Sequence, residues 1–195
     1  MVFYNIWNVK YEKAEKIYAG DNWKSVLNEN VNNNDCFIYF SSNNVWFPNE
    51  ERAFDRSFVD NDYYEWAGTK KACRKKEIYV RDIYKQWYVT GINDRVDSID
   101  KLYLLLKRET EGMRIVTVGS SAGGYMAALM GALLKAEYIL CFSAQYYLWD
   151  QAKQPENFFL VKYADDVERN KYYDIVDYMR QSKSIFYYIM PAYAD

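Results

Sequence analysis

The sequence has no histidine among its 195 residues. Imidazole is the most common general base in enzymes and the most common metal ligand in proteins. Any chemistry that needs an imidazole must therefore use another side chain or a group from outside this chain. Proline and glycine are also scarce, at three and eight residues, while hydrophobic residues make up 50%. That composition excludes collagen-like, linker-like and wholly disordered proteins and predicts a folded core.

Paired cysteines and long apolar runs are also missing. Cys36, Cys73 and Cys141 lie far apart, and none forms a C-x-x-C pair. An odd, dispersed set favours a reducing compartment over a disulfide framework or a zinc site. No run approaches the about 18 apolar residues of a membrane span, and the N-terminus lacks the pattern of a signal peptide. We expect a cytoplasmic protein with no membrane span, no metal and no organic cofactor.

The charge balance argues against a nucleic-acid partner. The chain has 25 basic and 27 acidic residues, for a net charge of −2. A nucleic-acid binder is expected to have a strongly basic surface. We therefore expect a small molecule or a saccharide as the partner. The 21 tyrosines, 10 phenylalanines and 6 tryptophans agree either with sugar stacking or with a general compositional bias.

Short apolar, β-favouring runs alternate along the chain with segments of helical periodicity. The predicted strands are Cys36–Phe40, Glu77–Val80, Arg114–Val118, Tyr138–Phe142 and Ser184–Met190. The predicted helices are Val96–Thr110, Ala122–Ala136 and Asp165–Gln181, and Trp23–Leu27 hints at a short one. This alternation predicts an α/β protein with a mostly parallel sheet of five or six strands and helices on both faces. We expect one domain over residues 1–195.

A glycine-rich turn joins the third predicted strand to a helix of small residues. Within it, Gly119-Ser120-Ser121-Ala122-Gly123 matches the G-x-S-x-G nucleophile elbow. The serine of an elbow sits on a sharp turn where side chains two residues before and after it would collide. Ser121 is therefore the candidate nucleophile, with the Ala122 N–H as an oxyanion donor. A tight packing turn and a phosphate loop are the alternatives, but the phosphate-binding patterns G-x-x-x-x-G-K-[ST] and G-x-G-x-x-G are absent.

The order of strand, elbow, helix and further strands resembles the α/β-hydrolase superfamily. The strings FIYFSSNNVWFPN, VRDIYKQWYVTGI and VTVGSSAGGYMAALMGALL resemble bacterial proteins associated with capsular or surface polysaccharide biosynthesis. The similarity covers about residues 36–145. It implies a serine esterase or acyltransferase that acts on a saccharide or on its precursor.

The resemblance also implies roles for individual residues. Ser121 takes the place of the nucleophile, and Ser42 or Asn43, in the loop after the first predicted strand, takes the place of the second oxyanion donor. Asp195 follows the last predicted strand, where the superfamily carries its acid, and Asp150 is a weaker candidate.

Three aromatic residues stand in loops that follow predicted strands. Trp46, Trp87 and Tyr88 are candidates for lining a sugar-binding cleft, with ordinary loop packing as the alternative. Asp82 also ends a strand, but it precedes the elbow and neighbours Arg81, so we interpret it as structural.

The missing histidine is the main departure from the superfamily, in which the histidine comes last. We expect the chain to be a C-terminally truncated form of a longer enzyme. Two alternatives remain: a non-catalytic binding or assembly protein, and a Ser–Lys enzyme using Lys135 or Lys162 as its base. An uncovered terminal strand would also favour self-association.

Overall fold

The computed structural model describes residues 11–69, 74–154 and 157–191. Its strands are β1 (Trp23–Leu27), β2 (Asp35–Phe40), β3 (Lys76–Val80), β4 (Arg114–Ser120), β5 (Tyr138–Phe142) and β6 (Ile185–Ile189). They form one sheet in the order β1-β3-β2-β4-β5-β6. β1 runs antiparallel to β3, and all other neighbours are parallel. The predicted α/β class and mostly parallel sheet are confirmed.

Helices and turns of different length connect these strands. They are α1 (Tyr11–Tyr18), α2 (Glu51–Phe54) with a π-helical continuation over Asp55–Asp60, α3 (Ile99–Glu109), α4 (Ala122–Leu134), α5 (Leu148–Gln151), α6 (Phe158–Lys162), α7 (Val167–Asn170) and α8 (Val176–Gln181). Within the ranges that the structure describes, none of these helices has the length and apolar character needed to cross a bilayer.

The helix that follows the elbow, α4, is the centre of the core. Ten of its residues, from Ala122 to Gly131, are buried. Gly131 allows the helix to approach the sheet, because a Cβ there would lie 2.5 Å from side-chain carbons of Ile139. The Thr117 hydroxyl in β4 donates to the Ala127 carbonyl at 2.8 Å. Helix α4 therefore fixes the position of β4, the strand that leads into the elbow.

The two faces of the sheet are covered differently. Alternate strand residues such as Ile38, Ile78 and Ile139 form one buried cluster with side chains from α3 and α4. The strand residues between them, whose side chains point to the opposite face, form a second cluster that includes Tyr39 and Val118. Among the described residues, the other buried or partly buried members of that second cluster come from strands or from the loop that contains Tyr64 and Trp66. Helix packing is thus seen on one face.

The structure corrects two predicted helices. Trp23–Leu27 is a strand, because it pairs with β3 from Trp23 opposite Val80 to Leu27 opposite Lys76. It lies at the sheet edge with both faces partly or fully exposed, so its sequence lacks the alternation of a half-buried strand. Asp165–Gln181 is divided into α7 and α8.

The predicted helix Asp165–Gln181 is divided because the residues between α7 and α8 are buried. Tyr173 and Ile175 are fully buried, and the Tyr173 carbonyl accepts from the Leu148 N–H at 2.6 Å. Asp166 caps α7 by accepting from the N–H groups of Glu168 and Arg169. The tertiary contacts of residues 172–175 therefore override the helical periodicity of the sequence.

The packing of α3 allows a direct test of the core with two leucines from one helix. Leu102 is fully buried, whereas Leu104 is 61% exposed. We expect Leu102→Ala to lower the free energy of unfolding by about 2–5 kcal/mol, because it removes buried methyl groups and leaves a cavity. Leu104→Ala, the matched control, should change it by about 0.5 kcal/mol or less. Urea denaturation measures both, and equal effects would contradict the described packing of α3.

Candidate active site

Ser121 lies on the turn between β4 and α4, with φ 51° and ψ −121°. A positive φ is strained for a residue with a side chain and persists only where neighbouring contacts impose it. Here the Ser121 N–H donates to the Phe142 carbonyl at 2.8 Å, and the Ser121 carbonyl accepts from the Tyr125 N–H at 3.0 Å. The residue is partly exposed. Ser121 is thus held in a strained conformation at the carboxyl end of the sheet, where its side chain is accessible.

The two glycines of the elbow are required by close backbone contacts. A Cβ at Gly119 would lie 2.1 Å from the Gly123 carbonyl oxygen. At Gly123 it would lie 2.3 Å from the carbonyl oxygen of Phe40 and 2.7 Å from that of Ser41. Real Cβ atoms do not approach backbone atoms this closely. The local geometry therefore agrees with the steric argument for the elbow motif.

One candidate oxyanion donor is the backbone N–H of Ala122. Ala122 is the first residue of α4, so its N–H has no acceptor within the helix and lies at the positive end of the helix dipole. Such a group can stabilise developing negative charge near the serine.

The second candidate donor is already occupied. The Ser42 N–H donates to the Glu65 carboxylate at 2.6 Å, and the Ser42 hydroxyl donates to the same oxygen at 2.9 Å. Asn43, the other candidate in this loop, has a buried Oδ1 atom without a partner in the described part of the chain. The predicted loop therefore lies beside the elbow, but Ser42 is bound to a residue that the sequence did not single out.

The loop of Glu65 crosses the end of the elbow strand. The Trp66 indole N–H donates to the Phe40 carbonyl at 3.2 Å, and the Trp66 ring centroid lies 5.8 Å from that of Phe142. Phe40 ends β2 and Phe142 ends β5, and β4 lies between these two strands. Burial raises the pKa of the Glu65 carboxyl, and the hydrogen bonds from Ser42 partly oppose this change.

Asp82 organises the neighbouring loop after β3. Its buried carboxylate accepts from the N–H groups of Tyr84, Gln86 and Tyr88 at 3.1, 2.6 and 2.9 Å. Its own N–H donates to the Ser41 hydroxyl at 3.1 Å. Burial raises the pKa of Asp82 to about 6, although these backbone N–H groups lower it in part. The contacts agree with a structural role for Asp82.

The three aromatic residues predicted for a sugar cleft are buried. Trp46, Trp87 and Tyr88 are 1%, 4% and 0% exposed. The Tyr88 hydroxyl donates to the Ser41 carbonyl at 2.9 Å, and the Trp46 indole N–H donates to the Ile83 carbonyl at 3.1 Å. Because their faces pack within the protein, the structure favours the loop-packing alternative for all three.

The remaining acid candidates differ in their surroundings. Asp195 lies outside the described residues. Asp150 is solvent-exposed in α5 and pairs with Lys153 at 2.6 Å, which is an ordinary surface ion pair.

The two lysines predicted as the base of a Ser–Lys pair, Lys135 and Lys162, lie in different parts of the fold. Lys135 caps the far end of α4 from Ser121, and 13 helical residues separate the two by about 20 Å at 1.5 Å per residue. This excludes Lys135 as the base. Lys162 lies in α6 with its ammonium nitrogen 5.1 Å from the Tyr163 ring centroid.

A third lysine, Lys85, was not singled out by the sequence. Burial lowers its pKa to about 7, while Asp82 acts in the opposite direction. Its ammonium nitrogen donates to the Trp46 carbonyl at 2.5 Å and to Asn49 Oδ1 at 2.6 Å. These contacts hold Lys85 in the loop cluster next to β3. Clusters of three or more histidine, cysteine or acidic residues that could hold a metal do not occur in the described ranges.

Two solved structures of the capsule O-acetyltransferase of Neisseria meningitidis serogroup A are similar to this chain. One has a TM-score of 0.55 at 12% identity over 88% of this chain and 72% of that chain. The other has a TM-score of 0.54 at 13% identity, over 84% and 66%. S-formylglutathione hydrolase from Staphylococcus aureus aligns with a TM-score of 0.49 at 12% identity, over 89% and 76%. No protein-family model and no curated protein matches the chain.

The two similarities with TM-scores above 0.5 support the fold alone. The chain spans only 66% and 72% of the two capsule O-acetyltransferase chains. It therefore has the α/β fold that is found in an acyltransferase structure, with Ser121 at the turn between β4 and α4.

The elbow contacts predict that Gly119 does not tolerate a side chain. We expect Gly119→Ala to lower the free energy of unfolding by about 1–3 kcal/mol, because its Cβ must displace the backbone of Gly123. Gly68→Ala is the matched control, since a Cβ there meets no atom within 4 Å. Thermal and urea unfolding measure both variants. Equal stability would show that the first turn of α4 does not pack against Gly119 as described.

The raised pKa of Asp82 predicts a pH-dependent contribution to stability. Asp82 has a pKa of about 6 in the folded protein, against about 3.9 for an ordinary aspartate, so between these two pH values the folded state binds a proton that the unfolded state does not. Its contribution is therefore greatest below pH 4 and is lost as pH rises through 6. The wild type should gain about 2–3 kcal/mol relative to Asp82→Asn between pH 7 and pH 4.

Urea denaturation across this pH range checks the Asp82 prediction, with Asp60→Asn at an exposed position as the control. Parallel pH profiles for the wild type and Asp82→Asn would contradict it.

Proposed function

We propose that this chain carries the nucleophile and the oxyanion donors of an acyl-transfer site that acts on an ester or an acylated saccharide. The observation that carries the proposal is the strained backbone of Ser121 at φ 51°, at a strand-to-helix turn that excludes side chains at Gly119 and Gly123. Strain of this kind requires compensating contacts, and it clusters at catalytic residues.

The chemistry follows from the position of the serine. Ser121 Oγ attacks the acyl carbonyl carbon, and its proton passes to a base while the carbonyl oxygen becomes an oxyanion. The Ala122 N–H and an N–H of the loop after β2 stabilise that charge. The leaving group departs with a proton, and the acyl group on Ser121 then passes to water or to an acceptor hydroxyl. Hydrolysis and transfer share this acyl-serine intermediate.

Two lines of support favour a saccharide as donor or acceptor. The fold is similar to that of a capsule O-acetyltransferase. The sequence also resembles proteins associated with surface polysaccharide biosynthesis. Trp46, Trp87 and Tyr88 do not add to this support, because they are buried and cannot stack on a sugar.

The proposed reaction needs a base that accepts the proton of Ser121. An unassisted serine hydroxyl is a weak nucleophile, and the chain has no histidine. We propose that the imidazole comes from polypeptide beyond these 195 residues and that Asp195 orients it.

The alternative is a binding or assembly protein that keeps this fold without turnover. Two observations favour it: the absence of histidine and the occupation of the Ser42 N–H by Glu65. It predicts that Ser121→Ala leaves the biological function intact in a stably folded protein.

Labelling with a fluorophosphonate tests the acyl-transfer proposal. We expect the probe to modify Ser121 slowly in this chain and about 10²–10⁴-fold faster when a general base is present, either as a longer native polypeptide or as added imidazole. Ser121→Ala should abolish the labelling. Ser120→Ala is the matched control, because Ser120 is the adjacent hydroxyl on the strand and should leave labelling unchanged. Peptide mass spectrometry locates the adduct, and a folded, imidazole-supplied protein without an adduct at Ser121 would refute the proposal.

A further inference from the structure

The contact between Ser42 and Glu65 is the least expected feature of the site. Ser42 directs both its donors, the backbone N–H and the hydroxyl, at one carboxylate oxygen at 2.6 and 2.9 Å. The hydroxyl also donates toward the second carboxylate oxygen at 3.2 Å and accepts from the Asn44 N–H at 3.0 Å. Two convergent donors on one oxygen form a small cradle for a carboxyl group.

The cradle lies against the elbow. Gly123 is two residues after Ser121, and a Cβ placed on it would lie 2.8 Å from the Ser41 carbonyl carbon. That carbon is bonded to the Ser42 nitrogen, so the peptide unit that binds Glu65 packs on the first turn of α4. Trp66, the residue after Glu65, contacts the ends of both strands that flank β4. The Glu65 carboxylate therefore sits beside the turn that presents Ser121.

The contact between Glu65 and Ser42 is not part of an ion pair in the part of the chain that the structure describes. In the described ranges, no lysine or arginine forms a salt bridge with Glu65, and Ser42 supplies all of its hydrogen bonds. Both Glu65 and Trp66 remain partly exposed, so a solute can reach this position. Among the described residues, Ser42 alone therefore holds the carboxylate, so a competing carboxyl oxygen needs only to accept the same two hydrogen bonds to take its place.

We propose that the Ser42 N–H and hydroxyl form an acyl-binding cradle beside Ser121, that Glu65 is its internal occupant, and that the carboxyl oxygen of an acyl substrate or product takes this place by displacing Glu65. The inference deepens the proposed function, since it names the group that the loop after β2 receives. It also explains why the predicted oxyanion donor is occupied in the structure.

Removal of the Glu65 carboxylate tests the cradle. We expect Glu65→Ala to react with the fluorophosphonate at Ser121 at least about tenfold faster than the wild type, because one freed oxyanion donor contributes about 10²–10³-fold to such reactions. Added acetate should slow Glu65→Ala by refilling the cradle, and it should act on the wild type only at higher concentrations, because there it must first displace Glu65. Glu29→Ala, at an exposed position, is the matched control and should react like the wild type.

A second measurement does not depend on Ser121 reactivity. In ¹⁵N-labelled protein, titration with acetate should shift the Ser42 amide resonance in Glu65→Ala, and the same shift should need a higher acetate concentration in the wild type, where Glu65 competes for the amide. If this shift occurs while Ser121 stays unreactive in every variant, the result supports the cradle and contradicts the proposed acyl transfer.

The cradle itself is overturned by either of two results. One is a Glu65→Ala protein in which acetate does not shift the Ser42 amide. The other is a folded Glu65→Ala protein that reacts more slowly than the wild type, which would show that Glu65 assists Ser121. If Glu65→Ala does not fold, Glu65→Gln keeps the side-chain volume and removes the charge. It should then react faster than the wild type, and an equal or slower rate would overturn the proposal.

Discussion

The close approach of three backbone segments determines the geometry of the site. The end of β4, the first turn of α4 and the residues after β2 meet where Gly119 and Gly123 leave no room for a Cβ atom. Because interiors are close-packed, such an approach is possible only without side chains at these two positions. The strained conformation of Ser121, the placement of Ala122 at the helix start and the position of the Ser41–Ser42 peptide all depend on this contact.

A second layer of contacts fixes the loops around that meeting point. The Ser41 hydroxyl accepts from the Asp82 N–H, and Asp82 in turn binds three backbone N–H groups of the loop after β3. The Tyr88 hydroxyl donates a hydrogen bond to the Ser41 carbonyl. The ends of β2 and β3 are thus joined by buried polar groups with satisfied hydrogen bonds, and such networks specify one arrangement of the backbone. The contact between the partly exposed Glu65 and Ser42 lies outside this layer, and it is the one that we propose to be replaceable.

The chemistry of the site is limited by the group that the chain lacks. A serine presented on an elbow is positioned for attack, but its proton needs an acceptor. Lys135 is too far along α4, and Lys85 is engaged with Trp46 and Asn49. The proposed function therefore has two components: the positioned serine with its candidate oxyanion donors, and a base that we place outside these 195 residues.

Features that rest on local patterns are predictable from the order of the residues alone. Continuous apolar runs such as Cys36–Phe40 and Tyr138–Phe142 predicted the parallel strands, and the spacing of Gly119, Ser121 and Gly123 predicted the turn. The edge strand at Trp23–Leu27 is recognised only in the folded chain, since an exposed strand is identified by its pairing and not by its own pattern. The contact between Glu65 and Ser42, 23 residues apart, has no local signal at all, because it arises from how two loops meet at the carboxyl end of the sheet.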